Sequence, residues 1–375
     1  MNEPTKRIIA AGHICIDVTP VFPHRHTMTF SEALSPGKLT HVDAADIHTG
    51  GSVANTGLAL KLLGADVQLA GKVGNDPFGG MIRERLSKYG AEAGLLTDER
   101  GTTSYSVVIA PPGVDRIFLH HPGVNDTFIS RDIPERMLEG ADHLHFGYPP
   151  LMRRMYENGG AELCSLFRRA KLLGLSTSLD LAAVDPATEA GQLDWHTLLS
   201  NVLPYVDFFV PSIEELCFML DRPRYDSWLK RAGENEITRI LDPEADIAPL
   251  AEMCLSLGAK AVLLKCGAPG MYLRTADAAS LAQVGSRAGI DPALWADRRF
   301  FQKSYKPGKV LSGTGAGDTS IAAFLLSMLQ GCPPEECVQL AAATGACCVE
   351  SYDALSGLKP LSELRQRIAE GWESV

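Results

Sequence analysis

In "SGTGAGDTS", Ser312–Ser320, three glycines (Gly313, Gly315 and Gly317) alternate through a turn, and Asp318 then opens an apolar run that reads as a helix up to Gly331. Glycine lets the backbone take positive φ and approach a ligand closely. Free N–H groups at a helix start hold anions, helped by the helix dipole. A carboxylate in that first turn has two readings. It can simply stabilise the helix N-terminus, or, beside an anion held on the N–H groups, it can take the proton of an attacking hydroxyl. The second arrangement suits phosphoryl transfer to an alcohol. Two other phosphate-binding patterns are excluded. The chain has no Gly-Lys-Ser/Thr, and "GHICID" after the first apolar run lacks the Gly-x-Gly-x-x-Gly of dinucleotide-binding turns.

Such a turn needs a scaffold, and the chain alternates strand-like with helix-like segments. "RIIAAGHICIDV" reads as a first strand and "DVQLAGKVG" as another. "ADHLHFGY", "LSTSLDLA", "YVDFFVPS" and "AKAVLLKCG" are short apolar runs of the kind found in buried parallel strands. Between them lie helical patterns. "SVANTGLALKLLGA" places Ala54, Leu58, Ala59, Leu62 and Leu63 on one side and stops at Gly64. "PFGGMIRERLSKYG" has its apolar positions at Met81, Ile82, Leu86 and Tyr89. "AELCSLFRRAKLLG" and "PEECVQLAAATGACCVE" follow the same logic. The fold class is therefore α/β, three layers around a mainly parallel sheet. "TSYSVVIA" and "DRIFLHH", joined across "PPGVD", read as a hairpin that interrupts the alternation and forms a small separate sheet with parts of residues 13–48. The stretches 221–249 and 275–305 read as surface insertions.

The chain has 375 residues, 45% hydrophobic and 21% charged, enough for a sizeable core. With 35 basic against 45 acidic residues the net charge is −10, which argues against a nucleic-acid partner. The nine cysteines contain no Cys-x-x-Cys and fall in apolar runs, as buried free thiols of a reducing compartment do. The N-terminal apolar run is too short for a secretory segment and no stretch approaches a membrane span, so a cytoplasmic protein without a membrane partner is expected.

The glycine-rich stretch resembles the C-terminal signature of the ribokinase-like (PfkB) carbohydrate kinases. A second stretch, "HTGGSVANTGLALKLLGADVQLAGKVGNDPFGGMIRERL", is similar to the N-terminal signature of that family through Gly50, Gly51, Asn55, Gly64, Gly71, Val73, Gly74, Asp76 and Gly79. The two patterns occur in the family's order, more than two hundred residues apart. The resemblance implies one ribokinase-like domain over 1–375. It also implies a β-sheet lid within about 13–48 and 100–125, and ATP and Mg²⁺ as cofactors. On that resemblance Asp318 is the catalytic base and Gly315, Ala316 and Gly317 form the anion hole. Asp17, Gly50, Gly51 and Asn55 bind the sugar, and Lys265, Gly267 and Gly270 lie near the nucleotide phosphates. Glu215, in "PSIEE", acts on Mg²⁺ through its water shell. A homodimer through the lid is a further implication.

Two positions depart from the family pattern. Ser212 replaces the asparagine of Asn-x-x-Glu, and Ser312 stands where cation-activated members carry an aspartate, so potassium activation is expected to be weak or absent. All ten histidines lie at or before residue 196, among them "HRH" at 24–26, His120–His121, and His143 with His145 on one strand face. They lack a Cys or acidic set at metal-ligand spacing. His120, His121, Asp115, Arg116 and Asn125 are candidate substrate-side groups. The expected activity is phosphorylation of a primary hydroxyl of a sugar or sugar-like polyol. A nucleoside or vitamin kinase of the same fold, and a weakly catalytic sugar- or nucleotide-sensing homologue, stand as rival readings.

Overall fold

Runs of apolar residues without alternation predict strands buried on both faces, and the computed structural model, which describes residues 6–23, 31, 34–111 and 117–375, has such strands at its centre. The strands are β1 (Arg7–Gly12), β2 (Cys15–Thr19), β3 (Asp46–Gly50), β4 (Asp66–Gly74), β5 (Leu95–Asp98), β6 (Tyr105–Ile109), β7 (Ile117–His121), β8 (His143–Gly147), β9 (Ser176–Asp180), β10 (Phe208–Phe209), β11 (Ala261–Lys265), β12 (Gly270–Thr275) and β13 (Arg299–Lys303). Nine form one sheet in the order β13-β12-β11-β10-β9-β8-β1-β4-β5. From β11 to β5 every neighbouring pair is parallel; β12 and β13 add antiparallel pairs at one edge.

The pleat divides the core. Ile8 and Ala10 of β1, with Ala261 and Leu263 of β11, face the helices Ser52–Leu62, Pro77–Ser87, Ala316–Leu329 and Pro334–Cys348. Ile9, Ala11, Val262 and Leu264 face the opposite layer, which includes the helices Arg153–Leu172, Trp195–Val202, Ile213–Leu220 and Ala248–Ser256. The three-layer expectation is met.

The segment read as one first strand is two. At Gly12 (φ 128°) the chain leaves the large sheet, and a Cβ there would overlap the Gly147 carbonyl of β8. β2 then belongs to a four-stranded sheet, β3-β2-β6-β7. β6 and β7 pair antiparallel, as the hairpin pattern predicted.

Other expectations need correction. The stretch 275–305 is not a surface insertion: it supplies β13 and the buried Trp295, whose ring packs against Phe208 and Phe324. The stretch 221–249 likewise buries Trp228, whose indole N–H donates to Asp246 at 3.0 Å. Charge and proline marked these regions as surface, but each carries an aromatic anchor. On the helices, Ile82, Leu86 and Leu58 are buried as expected while Leu62, Met81 and Tyr89 are exposed, because the packed stripe is narrower than the apolar pattern.

Candidate active site

In open α/β sheets ligands sit beyond the carboxyl ends of parallel strands. Here β8 ends at Gly147, followed by Tyr148, β9 at Asp180 and β11 at Lys265. These ends, the glycine-rich turn and the small sheet enclose a cavity of about 1060 Å³. A second cavity of about 1100 Å³ adjoins it and shares Asp17 and Asn55.

The helix Ala316–Leu329 starts after Gly315, whose φ of 75° is left-handed; a Cβ at Gly315 would also overlap Ala354. Gly315, Ala316, Gly317 and Asp318 all line the cavity, and the Ala316 N–H donates to the Gly313 carbonyl at 3.4 Å. The Asp318 side chain is buried and held by three donors. Thr56 Oγ1 donates to Oδ1 at 3.0 Å and Asn55 Nδ2 to Oδ2 at 3.0 Å. Tyr148 OH stands 2.9 and 2.8 Å from the two oxygens. Asn55 and Thr56 are presented by the helix Ser52–Leu62, which begins after Gly51 (φ 84°).

Gly51 is bare because a Cβ would meet the carbonyl and ring of His13; Gly50 is bare because a Cβ would overlap the Asp17 carboxylate. Asp17, on β2, accepts a weak bond from Cys15 Sγ at 3.4 Å, and burial raises its carboxyl above the usual range. His120 lines the same end and bonds Ser106 Oγ at 3.1 Å; burial pushes its imidazole down to about 4, so it is neutral at pH 7.

At the other end Lys265 Nζ donates to Asp180 Oδ1 at 2.6 Å. Burial drives the Asp180 carboxyl up, to about 8, against the pull of Lys265. Glu215 is raised for the same reason and accepts the Ser212 N–H at 3.3 Å, closing a capping box at the start of Ile213–Leu220. Gly267 (φ 62°) and Gly270 (φ 142°) shape the turn from β11 to β12. Asp17, Gly51, Asn55, Glu215, Lys265, Gly267, Gly270 and the turn Gly315–Asp318 thus border one cavity, and Gly50 touches it through Asp17.

Some candidates lie elsewhere. Asn125 is fully buried and bonds both main-chain groups of Ile14, at 2.9 and 3.4 Å, so it holds the crossover between the two sheets. His121 bonds Thr102 Oγ1 at 2.9 Å. His143 bonds Ser176 and Ser178, and His145 bonds Ser178, inside the core; burial pushes His143 down to about 3. Among the described residues no group of three or more His, Cys, Asp or Glu side chains is placed to hold a metal ion. Asp115, Arg116 and the "HRH" at 24–26 lie outside the described residues.

Three groups at the site went unnoticed in the sequence: Thr56, Tyr148 and Asp180. Tyr148 and Asp180 could have been found from their place at the carboxyl ends of apolar strand runs. Thr56, one residue after Asn55, carried no separate signal.

A glycine-lined turn with a buried aspartate, set at the carboxyl edge of a parallel sheet and faced by a small second sheet, is in keeping with a phosphotransferase architecture. The chain matches the pfkB family carbohydrate kinases over residues 6–360 and belongs to that family. It is a sugar kinase, a phosphotransferase with an alcohol acceptor. It is 24% identical over 301 residues to an uncharacterized sugar kinase of Archaeoglobus fulgidus, covering 80% of this chain and 98% of that one. It is 23% identical over 385 residues to a 5-dehydro-2-deoxygluconokinase of Listeria monocytogenes, covering 99% of each. The structure of Arabidopsis thaliana ribokinase complexed with ribose and ATP superposes with a TM-score of 0.69 at 18% identity, covering 97% of this chain and 98% of that one. No helix among the described residues is long and apolar enough to cross a membrane.

Proposed function

We propose that the protein transfers the γ-phosphoryl group of ATP to a primary hydroxyl of a sugar or sugar-like polyol, with Asp318 as general base. The observation that carries this reading is the placement of Asp318: a buried carboxylate, fixed by Thr56, Asn55 and Tyr148, beside the bare turn Gly315–Gly317 on the cavity wall. As the acceptor oxygen bonds to the γ-phosphorus, its proton passes to Asp318 and the bond from that phosphorus to ADP breaks. The N–H groups of Gly315, Ala316 and Gly317 stabilise the charge on the transferring group.

Asp17, Gly50, Gly51 and Asn55 hold the sugar. Lys265, Gly267 and Gly270 face the nucleotide phosphates, in keeping with the ATP of the ribokinase complex. Glu215 and Asp180 bring two carboxyl groups to the nucleotide end of the cavity; Glu215 would hold a hydrated Mg²⁺ recruited with the phosphates through water, and the cation would favour the ionised form of both groups. When bound, Mg²⁺ neutralises phosphate charge. The small sheet serves as a lid that excludes water from the reacting groups. Its outer strand β7, with Phe118 and Leu119 exposed, is the surface for pairing with a second copy.

Assaying ADP release over a panel of ketohexoses, pentoses, inositols and sugar acids, with ATP and Mg²⁺, tests the reading. Asp318→Asn should lower turnover on the best substrate at least about a hundredfold while ATP still binds. Near-normal turnover in that variant would remove Asp318 as the base, and binding across the panel without turnover in the native protein would favour a sensor.

A further inference from the structure

The Asp318 carboxylate offers about four lone-pair directions. Thr56 and Asn55 take one on each oxygen, and both come from a helix whose Thr56 is fully buried. The remaining side, between the two oxygens, is filled by the Tyr148 hydroxyl, 2.9 and 2.8 Å from them. A hydroxyl giving its proton to this carboxylate must come within about 2.6–3.2 Å of an oxygen, and Tyr148 already stands at that distance.

Tyr148 also differs from the other two donors in how it is held. It borders the cavity, directly after the end of β8, and its backbone is left-handed, φ 65° and ψ 41°. For a bulky residue this conformation is unfavourable by about 1 kcal/mol or more, and such strain persists where surrounding contacts impose it. Here those contacts include the Tyr148 N–H to the Asp180 carbonyl at 3.3 Å and the prolines Pro149 and Pro150 that follow. Burial and the facing carboxylates of Asp318 and Asp180 keep the phenol protonated, so it acts as a donor.

We propose that Tyr148 is an acceptor-discriminating residue: in the sugar-free protein its hydroxyl occupies the acceptor's place on Asp318, and a bound sugar hydroxyl displaces it where water does not. The inference rests on the reading of Asp318 as base. The reaction it suppresses is hydrolysis, in which a water oxygen bonds to the γ-phosphorus, its proton goes to Asp318, and the bond to ADP breaks to release ADP and phosphate. A sugar held by several contacts has the binding energy to move the phenol; a single water does not.

The test is ADP release with ATP and Mg²⁺, without and with the best sugar, in native protein, Tyr148→Phe, Tyr148→Leu, Asp318→Asn and the double variant Tyr148→Phe/Asp318→Asn. Melting curves check that each is folded. Tyr148→Phe should raise sugar-free hydrolysis at least about tenfold, within the range a general base supplies. Tyr148→Leu should do the same, and the double variant should return to the native level. If Tyr148 merely orients Asp318, both Tyr148 variants lose phosphotransfer with no rise in hydrolysis, and the inference is overturned. Hydrolysis that stays high in the double variant also overturns it, because the water would then not be using Asp318. Failure of the underlying reading looks different: Asp318→Asn alone would keep its sugar phosphorylation.

Discussion

Asp180 is 1% exposed, and burial lifts its carboxyl to about 8, with Lys265 as the largest opposing influence and Glu215 and Asp318 adding to the lift. In the unfolded chain an aspartate titrates near 3.9. The folded protein therefore holds a proton that the unfolded chain has released. That contribution to stability is fully present below about pH 4 and is lost as pH rises through about 8. By proton linkage, unfolding free energy should fall by about 2 kcal/mol between pH 6 and pH 8 from this one group. Thiols and imidazoles of the unfolded chain titrate nearby, so the quantity to follow is the difference between native protein and Asp180→Asn at each pH, from urea unfolding read by tryptophan fluorescence. That difference should shift by about 2 kcal/mol across the window in favour of the variant. In Lys265→Met the cation that lowers Asp180 is gone, so the fall should keep its full slope through pH 8 and continue above it. Parallel stability curves for native protein and Asp180→Asn would refute the reasoning, for they would mean that Asp180 is already ionised at pH 6.

Ser312 bears on cation dependence: its hydroxyl accepts the Thr314 N–H at 3.1 Å and brings no charge. Phosphorylation rates with potassium or sodium at fixed ionic strength should be equal, and a large potassium-specific rise would show that another group supplies the ion site. The nine free cysteines permit a second check. Seven are buried, and burial pushes Cys217 and Cys266 up to about 12 and Cys348 to about 11, away from the reactive thiolate. A disulfide reagent at pH 8 should label at most the two partly exposed thiols, Cys164 and Cys332, in the native protein and all nine after denaturation. Prompt labelling beyond two would show that the core opens readily.

Much of the fold was legible because its signals are local. Continuous apolar runs mark strands such as β1 and β11, and Gly64 (φ 96°) stops a helix where the pattern does. The misread regions had a local pattern that a distant contact overrode. "RIIAAGHICIDV" has strand propensity throughout, but its break at Gly12 is set by the backbone of β8, more than a hundred residues later. The stretch 275–305 looks like surface until Phe208 and Phe324 are placed against Trp295.

The candidate site divides along the same line. Glycines announce themselves, since Gly50, Gly51 and Gly315 each stand where a Cβ would collide with a neighbour. Asp318 announces itself only as a carboxylate at a helix start, which most such residues satisfy without doing chemistry. Its environment comes from Asn55, 263 positions away, Thr56, 262 away, and Tyr148, 170 away. None of these belongs to the glycine-rich signature. Two are neighbours on the helix that follows Gly51, so the bare backbone at Gly50 and Gly51 governs more than room for a ligand. It sets where that helix begins, and hence whether Asn55 and Thr56 reach the carboxylate. The N-terminal and C-terminal motifs are thus two halves of one hydrogen-bonded unit, and a change at Gly51 should disturb Asp318 before it disturbs the sheet.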